Sequence, residues 1–305
     1  MITVIGEAIA DLVPDGTGGV VAHPGGSPAN VAVALARLGT RVGLHTHVGR
    51  DPLGDLLVRH VTASGATLLA DPVRDGRTST ARVRTDGAGN ASYAFDITWD
   101  PPAPLPLAPD SCCLHTGSIA TTRAPGADAV RDAVIAAHGR ATVSYDPNCR
   151  PSLMGDPIAL RPRVEELVAF ADVVKVGDED LAWLYAGRAW EDVARDWFAL
   201  GPALVVVTLG ADGAWGRCAA GVARVPGRPT TIVDTVGAGD AFTAGMLDAL
   251  RRRGLLDRPH AVGAADLEGV LADASIVAAL TCARPGADPP TAAEVAAHRR
   301  WVESR

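Results

Sequence analysis

Short runs of β-branched and aliphatic residues alternate along this chain with longer stretches in which apolar side chains recur every three or four positions. The runs Ile2–Ile5, Val42–Thr46, Thr142–Tyr145, Val173–Val176 and Leu204–Thr208 predict buried strands, while Ala29–Leu38 and Ala127–His138 predict helices. A strand buried on both faces reads as a continuous apolar run, and its alternation with helical segments marks βαβ units. The pattern therefore predicts an α/β fold, a mostly parallel sheet with helices on both faces.

One region breaks this rhythm. From Arg77 to Ile97 the period becomes two, with Tyr93, Phe95 and Ile97 on one face, and Asp86-Gly87-Ala88-Gly89-Asn90 supplies a turn between two strands. The core has no need of such a hairpin, which predicts a flap or an interface. The polar, Gly-rich piece Pro14–Gly25 is expected to add a strand to it. The resulting lid is expected to draw on residues of about 12–24 and 75–100 within one domain covering 1–305.

Composition narrows the function. The 305 residues carry 28 Lys+Arg against 35 Asp+Glu, a formal charge of −7, which argues against a nucleic-acid or anionic-membrane partner. Lys175 is the only lysine, so the remaining basic residues are all Arg. A compositional bias accounts for the missing lysines, and a local requirement for the one that remains. The five cysteines are odd in number and have no Cys-x-x-Cys spacing, which predicts neither a disulfide framework nor a structural zinc site. The start of the chain lacks a signal-peptide pattern, and no apolar run approaches the ~20 residues of a membrane helix, so a cytoplasmic protein is expected.

Two glycine-rich helix starts carry the candidate chemistry. In Gly25-Gly26-Ser27-Pro28-Ala29-Asn30, Ser27 reads as an N-cap and Pro28 as the first helical residue. Asn30 lies in the first turn with its amide available to a ligand, and the two glycines let a ligand approach the backbone. Val31, Leu35 and Leu38 mark the buried face, and Gly39 the stop.

The second start is Asp234-Thr235-Val236-Gly237-Ala238-Gly239-Asp240. Small residues before a helix expose backbone N–H groups, and the helix dipole adds about half a positive charge there, which suits a phosphate. A pure phosphate cradle would avoid Asp240, which repels the anion. A phosphoryl transferase needs such a carboxylate, to accept the proton of an attacking hydroxyl. The P-loop pattern Gly-x-x-x-x-Gly-Lys-Ser/Thr is absent, and Gly237-Ala238-Gly239 lacks the third glycine of the dinucleotide fingerprint.

These two segments, with Gly6-Glu7-Ala8, Asp11, Asp146-Pro147-Asn148-Cys149-Arg150 and Thr208-Leu209-Gly210-Ala211-Asp212-Gly213, resemble the ribokinase-like (PfkB) carbohydrate kinases, with a flavour similar to bacterial fructokinases. The resemblance spans essentially the whole chain. It implies a ribokinase-like three-layer α/β/α sandwich with a small β lid, and ATP-dependent phosphorylation of a ketose such as fructose. It further implies Asp240 as general base, with Gly237, Ala238 and Gly239 holding the transferring phosphoryl group through backbone N–H groups. Asp11, Gly25, Gly26, Asn30 and Arg150 would bind the sugar, Arg150 alternatively the phosphates. Lys175, Thr208, Gly210, Gly213 and Gly239 would lie against ATP. Asp234, with backbone around Val236, Arg284 and Gly286, resembles the family's monovalent-cation loop, which implies K+. A homodimer through the lid is also expected.

The chain departs from the family where an Asn-x-x-Glu motif helps organise Mg2+ through water, for Gly177-Asp178-Glu179-Asp180 stands there. Asp180 or Glu179 is left to that role. The amide common among adenine contacts is missing near Ala274 and Ser275. Three other readings stay open: a 2-keto-3-deoxygluconate or other sugar-acid kinase using Arg82, Arg84 or Arg150; a nucleoside kinase stacking its base on Tyr93, Phe95 or Trp99; and a non-catalytic sugar-binding protein. His115 is a candidate for the sugar pocket's border, while His45 and His47 have no metal-ligand spacing. Trp183, Trp190 and Trp197 recur every seven residues and read as core.

Overall fold

A computed structural model describes residues 1–17, 19–85 and 91–303. The predicted hairpin turn, 86–90, lies outside the described residues.

The chain begins with β1 (Ile2–Ile5), β2 (Ile9–Pro14) and β3 (Val20–Gly25), then α1 (Ser27–Arg37), β4 (Val42–His45) and β5 (Val48–Gly49). Next come α2 (Pro52–Ala63), β6 (Thr67–Leu68), β7 (Val73–Arg74), β8 (Thr80–Thr85), β9 (Ala91–Asp96) and β10 (Cys113–Gly117). A 3-10 turn over Ser118–Thr121 leads to α3 (Gly126–Ala137), β11 (Thr142–Asp146), α4 (Pro151–Met154), α5 (Pro157–Phe170) and β12 (Val173–Gly177). The remainder is α6 (Asp178–Leu184), α7 (Trp190–Ala199), β13 (Leu204–Thr208), β14 (Ala214–Cys218), β15 (Gly221–Val225), α8 (Ala238–Arg252), α9 (Ala264–Cys282) and α10 (Ala292–Glu303).

Among the described residues, nine strands form the main sheet in the order β15-β14-β13-β12-β11-β10-β1-β4-β6. Every pairing from β6 across to β13 is parallel, and β14 runs against both of its neighbours. One apolar layer joins the sheet to α1, α8 and α9 through residues such as Val4, Leu35, Met246 and Leu271. The other joins it to α3, α5, α6 and α7 through Leu114, Val134, Leu167, Leu181 and Trp197. Parallel strands covered on both faces account for the continuous apolar runs.

Helix α8 is buried along nearly its whole length, from Asp240 to Leu250. A Cβ at Gly245 would come within 3.0 Å of Ala274 Cα and 2.9 Å of a Val277 methyl on α9, so glycine permits the close helix contact.

The second sheet has the order β3-β2-β8-β9, with β2 antiparallel to β3 and parallel to β8. Its β2, from Ile9, starts before the expected lid range; Asp11 thus stands on the lid itself. The register aligns Asp11 with Ala81 and Ala81 with Phe95, placing these three on one face. Ile9, Ala81, Ile97 and Ile119 form a small buried cluster at the root of this sheet.

Candidate active site

The carboxyl ends of the parallel strands are where open α/β sheets carry their ligands. Asp146 ends β11, Gly177 ends β12 and Thr208 ends β13, with Gly177 in register with Thr208. The amino end of α8 faces the same edge. Gly237 precedes that helix in the left-handed region, φ 76°, and a Cβ there would stand 2.6 Å from Ala287 Cβ. Position 237 therefore requires glycine. The Ala238 N–H donates to the Thr235 carbonyl at 3.2 Å, so it is not available to an anion as the sequence suggested. The N–H groups of Gly239 and Asp240 face the helix start, where the dipole favours negative charge.

Asp240 is 7% exposed. Its Oδ1 accepts from Ser27 Oγ at 2.7 Å and its Oδ2 from Asn30 Nδ2 at 2.8 Å. Burial raises its pKa, while these two hydrogen bonds and the Arg150 charge pull the other way. Both donors favour the ionised form of the carboxylate against the burial that opposes it. Two expectations change here. Gly26, not Ser27, is the N-cap of α1, and Ser27 turns its hydroxyl to Asp240 instead of capping the helix. The Asn30 amide is likewise committed to Asp240.

Asp11 comes to this site from the lid. Burial raises its pKa to about 6, with His23 and Arg150 opposing and Asp240 adding to the rise. A Cβ at Gly25 would stand 2.3 Å from Asp11 Oδ2, and one at Gly26, φ 98°, would stand 2.5 Å from the Glu7 carbonyl oxygen. The paired glycines let α1 begin directly against β2. Arg150 donates to Asn148 Oδ1 at 2.7 Å and is exposed. Its positive charge opposes the burial that raises the pKa values of Glu7, Asp11, Asp180 and Asp240.

Behind the helix start lies a buried ion pair. Lys175, 4% exposed, donates from Nζ to Asp146 Oδ2 at 3.0 Å, and Thr243 Oγ1 on α8 lies 3.3 Å from the same oxygen. Burial disfavours the ammonium, but the Asp146, Asp180 and Asp240 carboxylates outweigh it and hold the pKa above its ordinary value. A Cβ at Gly239 would lie 3.0 Å from Nζ, so the lysine charge sits directly under the Gly239 backbone. Asp180 accepts from the Cys149 N–H at 3.0 Å and the Gly177 N–H at 3.4 Å. Burial pushes its pKa up to about 6, with Asp146 adding to the rise.

Gly210, φ 54°, and Gly213, φ 94°, shape the turn after β13, and a Cβ at Gly213 would meet the Val225 carbonyl oxygen at 2.1 Å. Asp234 bridges two segments, accepting from the Val236 N–H at 3.0 Å and the Gly286 N–H at 2.8 Å. The Arg284 guanidinium is paired with Glu294 and Asp288, leaving its backbone to the loop. Ala274 is fully buried and the Ser275 hydroxyl donates to the Leu271 carbonyl.

The pattern of the pfkB family carbohydrate kinases matches residues 1–293. The chain belongs to that family. It is 38% identical over 269 residues to a fructokinase of Klebsiella pneumoniae, spanning 84% of this chain and 86% of that protein. The structure of a fructokinase from Vibrio cholerae O395 in its fructose-, ADP- and calcium-bound form superposes with a TM-score of 0.80 at 30% identity, covering 97% of each chain. A fructokinase from Xylella fastidiosa with bound ATP gives 0.85 at 27% identity, covering 99% of each. The fold is thus ribokinase-like, and the chain is a carbohydrate kinase of the pfkB family.

Several candidates read from the sequence lie elsewhere in this pfkB kinase. Trp99 is 1% exposed, and its Nε1 donates to the Ala120 carbonyl at 3.1 Å, so it offers no stacking face. Phe95 shares its lid face with Asp11 and is partly buried against the cluster of Ile9 and Ile119. Arg82 aligns with Leu12 and Ala94, on the lid face opposite Asp11, away from a sugar carboxylate at the site. The side chains of Arg84 and Tyr93 lie outside the described residues. His115 is 1% exposed beside Ser144 Oγ at 3.1 Å, and burial pushes its pKa down to about 4. Its ring packs within the sheet, where the Asp146 and Lys175 charges act on it. His45 bonds the Pro106 carbonyl. Trp183 and Trp190 pack against the core that contains Trp197, and all five cysteines are free.

The sequence reading missed Asp146, Thr243 and Ser27 as partners of the site. Asp146 was visible only as part of a motif string. The signal that could have found it is the lone Lys175 on a neighbouring strand, which when buried requires a carboxylate.

Proposed function

We propose that this pfkB kinase is a fructokinase, transferring the γ-phosphate of ATP to a hydroxyl of fructose. The observation that carries this reading is the buried Asp240 carboxylate, at the amino end of α8 and held by Ser27 and Asn30. The fructose- and ADP-bound V. cholerae relative supports the choice of sugar and nucleotide.

In this account the sugar lies between the lid and α1, with hydroxyls on Asp11, the Asn30 side-chain carbonyl and the Gly25-Gly26 backbone. Asp240 takes the hydroxyl proton as that oxygen attacks the γ-phosphorus, the bond to the β-phosphate oxygen breaks, and ADP leaves. The N–H groups at Gly237, Gly239 and Asp240 hold the transferring phosphoryl group, and Lys175 adds positive potential beneath them. Arg150 approaches sugar or phosphate from the open side. Thr208, Gly210 and Gly213 form the wall on the nucleotide side.

Among the described residues no group of three or more acidic, histidine or cysteine side chains is arranged to hold a metal directly. The buried Asp180, already accepting two backbone N–H groups, fits a water-mediated hold on Mg2+, which Glu179 could share from the same turn. The ion, when bound, neutralises phosphate charge. The Asp234 clamp on Val236 and Gly286 fits a loop whose carbonyls receive K+ beside the anion site.

The lid edge strand β3 exposes Val20 and Val21 at 47% and 46%, which supports a homodimer formed through the lid. No helix among the described residues is long and apolar enough to cross a membrane. Five free thiols suit a reducing cytoplasm. ADP release from Mg2+-ATP against a panel of fructose, other ketoses, sugar acids and nucleosides tests the reading. Fructose is expected to give the highest kcat/KM, with a gain on adding K+. Turnover of a sugar acid or nucleoside but not fructose would overturn it.

A further inference from the structure

The main chain crosses between core and lid at four places, before β2, after β3, before β8 and after β9, and three of these meet near one peptide unit. The first entering crossing is Gly6-Glu7-Ala8, between β1 and β2. Glu7 is 3% exposed, and its Oε2 accepts from the Ala120 N–H at 3.1 Å, with the Ser118 side chain also bonded to the carboxyl. The exit crossing follows β9, where the Trp99 indole donates to the Ala120 carbonyl at 3.1 Å and Arg123 donates to the Ile97 carbonyl at 3.1 Å. The return crossing is Gly25-Gly26, where a Cβ at Gly26 would lie 2.5 Å from the Glu7 carbonyl oxygen.

Ala120 thus gives its N–H to one crossing and its C=O to another. The turn that carries it holds Ser118 at φ 55°, a left-handed value that non-glycine residues adopt only when their surroundings impose it. Its Ile119 side chain is buried with Ile9, Ala81 and Ile97 at the root of the lid.

We propose that Glu7, Ala120 and Trp99 form a latch that fixes the lid to the core, with Glu7 a positioning residue that sets where Asp11 stands over the sugar. Asp11 lies four residues beyond Glu7, on the strand the latch anchors. The polar groups concerned are buried, so leaving either side of the Ala120 peptide unpaired loosens the lid root instead of exchanging a protein bond for water. Burial also pushes the Glu7 pKa up to about 7, and the carboxyl can accept the Ala120 N–H in either protonation state.

The inference deepens the fructokinase reading and rests on it for the sugar, so its test uses a readout independent of turnover. Backbone hydrogen exchange is measured on the whole protein for the wild type, Glu7→Ala, Glu7→Gln and Trp99→Phe. In Glu7→Ala, peptides from β2 and β8 are expected to exchange about tenfold faster, with β11–β13 unchanged. Trp99→Phe, which keeps a ring but loses the indole N–H, behaves in the same way. Glu7→Gln keeps an acceptor oxygen and exchanges like the wild type. Fructose KM rises about tenfold in Glu7→Ala and Trp99→Phe, with kcat and the KM for ATP within threefold of wild type. Unchanged lid exchange, or equal acceleration in lid and core, overturns the latch. A wild type that leaves fructose unphosphorylated overturns the fructokinase reading and leaves the exchange result to decide the latch alone.

Discussion

Ser27 and Asp240, 213 positions apart in the chain, meet through a 2.7 Å hydrogen bond. The contact joins the first residue of one helix to the first turn of another, and Asn30 repeats it on the second carboxylate oxygen. Both donors favour the ionised carboxylate, opposing the burial that raises its pKa. The paired helices α1 and α8 thus fix a buried carboxylate between them.

The first prediction concerns pH. Removing a donor from an ionised carboxylate raises its pKa further. In Ser27→Ala the acidic limb of kcat/KM should therefore move upward by about one pH unit. The sign follows from the role: a base is useless once protonated, so activity falls as pH drops through its folded pKa. Initial rates should fall more at pH 6 than at pH 8. An unchanged limb would separate Ser27 from the base.

The buried pair gives the second. Lys175→Met leaves Asp146 charged and without its partner, which should cost about 3–5 kcal/mol of stability. The double variant with Asp146→Asn should lose less than the single one, because no uncompensated charge remains. Urea denaturation of the three proteins checks this. Lys175→Arg with unchanged stability and unchanged ATP kinetics would reduce the lysine to a background cation.

A third follows from Gly237. Its φ of 76° and the 2.6 Å approach to Ala287 Cβ leave no room for a side chain. In Gly237→Ala the helix start must shift, and kcat should fall by about 10²–10³ while fructose affinity stays within threefold. Wild-type kcat would show that the helix start takes no part in transfer.

The fourth addresses assembly. Static light scattering should give a dimer at micromolar concentration, and Val20→Asp with Val21→Asp should give a folded monomer. A wild-type monomer, or a dimer indifferent to both changes, would move the contact away from the lid.

Much of this arrangement was legible in the chain because local chemistry and tertiary role coincide. Gly237 and Asp240 read as an anion site with a base since helix starts create both the unpaired N–H groups and the field. The apolar runs read as parallel strands because both faces are covered. Ser27 misled for the opposite reason: capping is a local habit of serine, and a carboxylate on a distant helix outcompeted it. Trp99 and His115 carried polar handles that the sequence could not direct, and both proved to be satisfied inside the core. Asp146 stayed hidden since its partner, Lys175, lies on another strand and only the sheet register brings them side by side.

The measurement that bears most directly on the central claim pairs turnover with binding in Asp240→Asn. The change keeps size and one acceptor oxygen but removes the base. Fructose phosphorylation by Mg2+-ATP should fall by about 10²–10⁴ in kcat, with calorimetric fructose affinity within threefold of wild type. Near-normal phosphorylation in Asp240→Asn would contradict the account.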